Sequence, residues 1–129
     1  MKTLDQDNVI GVAALLVKAA KIDEQYSENE KTLIKEFIKS YLKDTNYDDI
    51  LKKAENVEQN SNQLLNFTNI IKKNTMEIKS DIIEHLWKVI ISDNTIDQYE
   101  SNLMRRICGL IYFPDKMSAE IKLRLLDTK

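Results

Sequence analysis

DEQYSENE (residues 23–30) is echoed by DNTIDQYE (residues 93–100), seventy positions further along the chain. In each octet an Asp is followed at +3 by a large apolar residue, Tyr26 or Ile96. Ser27 or Asp97 stands at +4 and Glu30 or Glu100 at +7. Ser and Asp are strong helix N-caps, and a Glu three positions on completes a capping box. The cap oxygen accepts from the N3 amide while the Glu accepts from the cap amide. Tyr26 and Ile96, one residue ahead of the caps, are placed as hydrophobic staples. The octets therefore read as one helix start built twice, each cap contributing about 1 kcal/mol.

The flanking residues keep the same offset: Leu16 corresponds to Leu86, Val17 to Trp87, Leu33 to Leu103, Lys35 to Arg105 and Phe37 to Ile107. Two helix–turn–helix units, about residues 8–42 and 75–111, thus follow one plan. Two copies suit a pseudo-symmetric globular bundle, because a solenoid needs three or more. Asp7 or Asn8 is placed to cap the first helix, which runs to about Lys21. Its apolar face of Ile10, Ala13, Ala14, Val17 and Ala20 is widened almost all round by Val12, Leu15 and Leu16, which predicts a central position. The second helix, about 28–42, carries Leu33, Ile34, Phe37, Ile38 and Tyr41 on one stripe.

Helical spacing predicts five more elements. A third helix, capped by Asn46, spans Tyr47 to about Val57, and a fourth spans about 63–73. Asn74-x-x-Glu77 reads as a capping box opening a fifth helix to about Ser92, with Ile78, Ile82, Leu86, Val89 and Ile90 facing inward. The sixth runs from about Gln98 to Ile111. Phe113-Pro114 stops it, and Ser118 caps a last short helix from Ala119 to about Leu126. The expected fold is all-α: a seven-helix bundle forming a single domain over residues 1–129.

Composition agrees. A chain of 129 residues suits one core, and two Gly with one Pro suit helices joined by short connections. Cys108 is the only cysteine, so no intrachain disulfide forms and a reducing, cytoplasmic setting is expected. Lys and Arg number 19 against 21 Asp and Glu, a formal net charge of −2, which lacks the basic excess of a nucleic-acid partner. The run VIGVAALLV (residues 9–17) is far short of the roughly 20 residues that a membrane-spanning helix needs. Lys2 is opposed by Asp5 and Asp7, so a core helix rather than a signal segment is expected.

Capping leaves Asp23 and Asp93 unexplained. Each has two readings: an Asx turn onto nearby amides, or a ligand to a hard cation together with Glu28 and Glu30, or with Asp97 and Glu100. An EF-hand loop does not fit. Its Gly at position 6 would be Glu28 or Gln98, and its bidentate Glu at position 12 would be Ile34 or Met104. A di-iron Glu-x-x-His motif fails at His85, the only histidine, because position 82 is Ile. His85 is instead expected at the core boundary beside Trp87. Cys108 is expected to be a buried, unreactive thiol, and Gly11 and Gly109, inside helices, to mark close helix approach. No phosphate-cradling Gly loop, nucleophile elbow or zinc-spaced Cys pair occurs.

Leu15-Leu16 and an Ala ahead of Asp23, the capped acidic helix start, and a second such turn behind Leu86-Trp87-x-Val89 resemble the TerB-like tellurite-resistance family. The resemblance covers about residues 10–126. It places the family's acidic signature on Asp23 and Glu30 and on Asp93 and Glu100. It implies an all-helical bundle with acidic patches linked to divalent metal, acting in bacterial stress-response or membrane-linked complexes. The chain departs from the family turn, Ala-Asp-Gly-x-Ile-x-x-x-Glu, at both glycines, where Glu24 and Asn94 stand, and at the Ala positions, which are Ile22 and Ser92. Asn tolerates a left-handed backbone, whereas Glu pays about 1 kcal/mol or more, so the second turn is the preferred one.

The resulting expectation is a non-catalytic binding or scaffold module, cytoplasmic or peripheral at the inner membrane. It would take a divalent cation, calcium or magnesium, at Asp93, Asp97 and Glu100, with Asp23 and Glu30 as the second set. It would dock a protein partner. A metal-dependent hydrolase, with these carboxylates holding the ion that activates water, is the alternative.

Overall fold

Helix α1 (Gln6–Ala20) is buried along nearly its whole length: Val9 and every residue from Gly11 to Val17 are shielded from solvent. The computed structural model describes residues 4–22, 26–43, 45–61, 65–92 and 98–127. Within them the chain continues as α2 (Glu28–Tyr41), α3 (Tyr47–Gln59), α4 (Leu65–Lys72), α5 (Met76–Ile91), α6 (Gln98–Ile111) and α7 (Asp115–Asp127). No strand forms among the described residues. The all-α, seven-helix bundle is as the sequence leads one to expect, and none of its helices is long and apolar enough to cross a membrane.

Helix α1 packs on α2, α3, α4 and α5, while α5 packs on α1, α2, α4, α6 and α7. The counterparts of the two repeats are thus the two central helices, and they lie against each other. Burial follows the seventy-residue offset. Leu16 and Leu86, Val17 and Trp87, Ile34 and Met104, Phe37 and Ile107, and Ile38 and Cys108 are all core residues. The repetition also reaches a third helix: α3 packs on α1 and α2 as α7 packs on α5 and α6. Helix α4 stands outside the pattern and joins the halves through α1, α5 and α6.

Local chemistry explains most helix ends, and three differ from expectation. Helix α1 is capped by Asp5, not Asp7 or Asn8. Asp5 Oδ1 accepts from the Asn8 amide at 2.8 Å, and Asp7 falls in the first turn, where it favours the helix dipole. Thr75 caps α5, accepting from the Ile78 amide at 3.3 Å. Asn74 looks backward instead, its Nδ2 donating to the Ile70 carbonyl at 2.7 Å, so it closes α4 rather than forming a box with Glu77. Helix α7 begins at Asp115, directly after Pro114, whose fixed φ suits a helix start as well as a helix stop. Ser118 therefore sits inside α7, buried, with its Oγ accepting from Trp87 Nε1 at 2.9 Å.

Asn46 caps α3 as expected, accepting from the Asp48 and Asp49 amides at 3.0 and 3.2 Å. At the end of α6, Tyr112 adopts φ 60° while Phe113 N bonds Cys108 O at 2.9 Å and Tyr112 N bonds Gly109 O at 3.4 Å. That is a Schellman closure with tyrosine where glycine is usual. The two glycines differ from each other. A Cβ on Gly11 would run into the Cδ1 of Ile70, so α1 and α4 do approach closely there. A Cβ on Gly109 would meet nothing, so packing does not explain that glycine.

Candidate functional site

The first acidic turn ends in a complete capping box. Ser27 N donates to Glu30 Oε1 at 2.8 Å, and Glu30 N donates to Ser27 Oγ at 3.2 Å. Glu30 is 3% exposed, so its carboxylate is tied into the helix start. Ahead of the cap, Tyr26 makes a staple of a different kind from an apolar pair. Its ring has Lys31 Nζ 5.0 Å and Lys21 Nζ 5.8 Å from the centroid, both within cation–π range. Its phenol donates to Glu55 Oε2 at 2.7 Å, and burial, reinforced by Glu55, pushes the phenol well above the usual tyrosine range. Lys21 also pairs with Glu58 at 2.9 Å. The turn is thereby fastened to α3.

Asp23, Asp93 and Asp97 lie outside the described residues, as does the cap ahead of α6. Glu100 is described. It stands three residues into its helix start as Glu30 does, and is likewise 3% exposed. The two signature glutamates thus occupy equivalent buried places. Among the described residues no three His, Cys, Asp or Glu side chains gather as a metal-holding group.

With the fold and the paired glutamates in view, the family can be stated. A family model for tellurite resistance protein TerB matches residues 9–123. The chain belongs to the TerB family. Neither a curated protein nor a solved structure matches it.

In this TerB domain a groove of about 720 Å³ opens between α1, α3 and α4. Its floor is Ile10, Gly11, Phe67 and Ile70, and its rim carries Val57, the amides of Asn56, Asn60 and Asn66, and Ser61. Asp7 and Lys53 are the ionisable residues lining it. Val57 is 40% exposed here, an apolar side chain standing open beside the groove. Sequence reasoning missed this groove. The available signals were the glycine inside α1 and the asparagine-rich stretch at the end of α3.

Elsewhere several polar side chains join helices. Tyr41 OH donates to Asp81 Oδ2 at 2.7 Å, and His85 Nε2 lies 3.7 Å from the same oxygen. Phe37 packs against both rings, its centroid 5.1 Å from Tyr41 and 5.2 Å from His85, the latter edge-on. His85 therefore faces α2 as part of an α2–α5 clasp. Trp87 turns instead toward Ser118 on α7. Burial raises the Cys108 thiol above its ordinary value, partly offset by its hydrogen bond with Ser118, which suits the expected unreactive thiol.

Proposed function

We propose that this TerB-family domain is a non-catalytic binding module that docks a protein partner through the α1–α3–α4 groove. The observation that carries this reading is the composition of the groove. An apolar floor framed by amides and a hydroxyl matches what peptide recognition requires, apolar burial with hydrogen-bond partners for a backbone. Its ionisable residues, one Asp and one Lys, do not make the nucleophile-and-base pairing of a hydrolytic centre. Capture from the native cell with three forms of the protein tests it. Wild type and Leu123→Asp, which alters an exposed residue of α7, are expected to hold the same partner, and Val57→Asp is expected to lose it. Equal capture by all three would contradict the groove as the docking site.

The metal reading belongs to the second acidic turn. Two Asp and one Glu (Asp93, Asp97 and Glu100) offer by type the oxygen donors that calcium or magnesium takes. The second turn is preferred over the first because Asn94 suits the left-handed backbone of the family's turn, whereas Glu24 at the matching place would pay for it. We infer that a cation bound at this turn would regulate docking. Titration with calcium and magnesium, followed by amide NMR, is expected to move resonances of residues 93–100 first. Silence with both ions at millimolar concentration would remove the metal from the account.

A further inference from the structure

The seventy-residue offset pairs Lys35 with Arg105, and the two cations are treated differently. Lys35 reaches Asp48 on α3, Nζ to Oδ1 at 2.5 Å, and each group holds the other in its charged form. Arg105 faces the equivalent helix of the second half, α7, and among the described residues no carboxylate comes within ion-pair distance of it. It lines a cleft of about 560 Å³ between α5, α6 and α7, together with Lys122, Ser101, Met104, Ala119 and Trp87. Lys122 also pairs with no acidic side chain among the described residues; its Nζ sits 5.2 Å from the centroid of the Trp87 ring. Asp115 lines the cleft too, but pairs with neither cation. Among the described residues, the first half pairs its cation with Asp48, and the second half leaves two cations facing one concavity.

We propose that this cleft binds a soluble phosphomonoester. Such a group carries about −1.5 to −2 charge at neutral pH and three acceptor oxygens, which calls for more than one cation. Arg105 supplies a planar fork of donors, Lys122 a mobile point charge, and Ser101 a hydroxyl. The volume lies in the range of roughly 300–1,000 Å³ typical of small-ligand sites, leaving room for an organic body beside Met104 and Ala119. The indole of Trp87, the only tryptophan, forms one wall and is fixed by its hydrogen bond to Ser118.

The Trp87 indole N–H resonance reports on the cleft without a label. Titrations use inorganic phosphate, phenyl phosphate and benzoate, each against sodium chloride of equal ionic strength, because a screened surface effect would respond to salt alone. Saturable shifts are expected with both phosphates, tightest for phenyl phosphate and at least several-fold weaker for benzoate. Arg105→Gln and Lys122→Gln are each expected to weaken phenyl phosphate about ten-fold with the helical content unchanged, and Asp115→Asn to tighten it. Shifts that are unsaturated, matched by chloride, or unaltered in both cation variants would overturn the proposal. A parallel arm uses vesicles containing phosphatidic acid. Binding to the vesicles without binding to phenyl phosphate would overturn a soluble ligand.

Discussion

Ser27 and Glu30 satisfy each other's backbone amides, and this exchange accounts for most of the repeated spacing within the first octet. Ser27→Ala should cost about 1 kcal/mol of stability, read as a lower urea midpoint. The neighbouring phenols give a pH dependence. Tyr26 and Tyr41 are both held protonated by burial and by a carboxylate acceptor, so their pKa values in the folded state lie above the unfolded value of 10.0. Above pH 10 the unfolded chain loses protons that the folded chain keeps, so stability present below that pH is lost as pH rises. Urea midpoints between pH 8 and 11 should fall, and the fall should be shallower in Tyr26→Phe and Tyr41→Phe. At this scale the caps at Ser27 and Asn46 were legible, because a short polar side chain ahead of an apolar run has one good use. Thr75 was not, since Asn74 beside it is as good a cap by type, and only the position of Ile70 O shows that Asn74 faces α4.

At the scale of elements, glycine separates packing from propensity. Gly109 is exposed and has open space where a side chain would go, so Gly109→Ala should stabilise α6 by up to about 1 kcal/mol. Gly11 faces Ile70, so an alanine there gains helix propensity only by moving that side chain on the groove floor. Gly11→Ala should therefore fall short of the gain at Gly109, a difference that thermal unfolding of the two variants would reveal. Pairs of helices forming each half were legible from the matched apolar positions. The start of α7 was not, because Pro114 was read only as a stop for α6. Ser118 looks like a cap in sequence, yet it is buried as the acceptor for Trp87, a long-range bond that no local pattern encodes.

Across the whole molecule, α1 and α5 form the central pair, each carrying a helix that follows it and a third helix that closes the half. The repeat itself was legible, but its third member was not, because α3 and α7 share packing partners more than sequence. The two halves have also diverged in what they leave open: an apolar groove rimmed with amides at α1, α3 and α4, and a cationic cleft at α5, α6 and α7. The paired acidic turns suggested a metal site from sequence. The groove depends on the angle between three helices and on one missing Cβ, neither of which appears in a linear pattern. Docking through that groove is the claim on which the functional account rests. Hydrogen exchange of the protein alone and with its captured partner tests it most directly. We expect added protection at the start of α1, the end of α3 and α4, with α7 unchanged; protection centred on α7, or none on the groove helices, would contradict it.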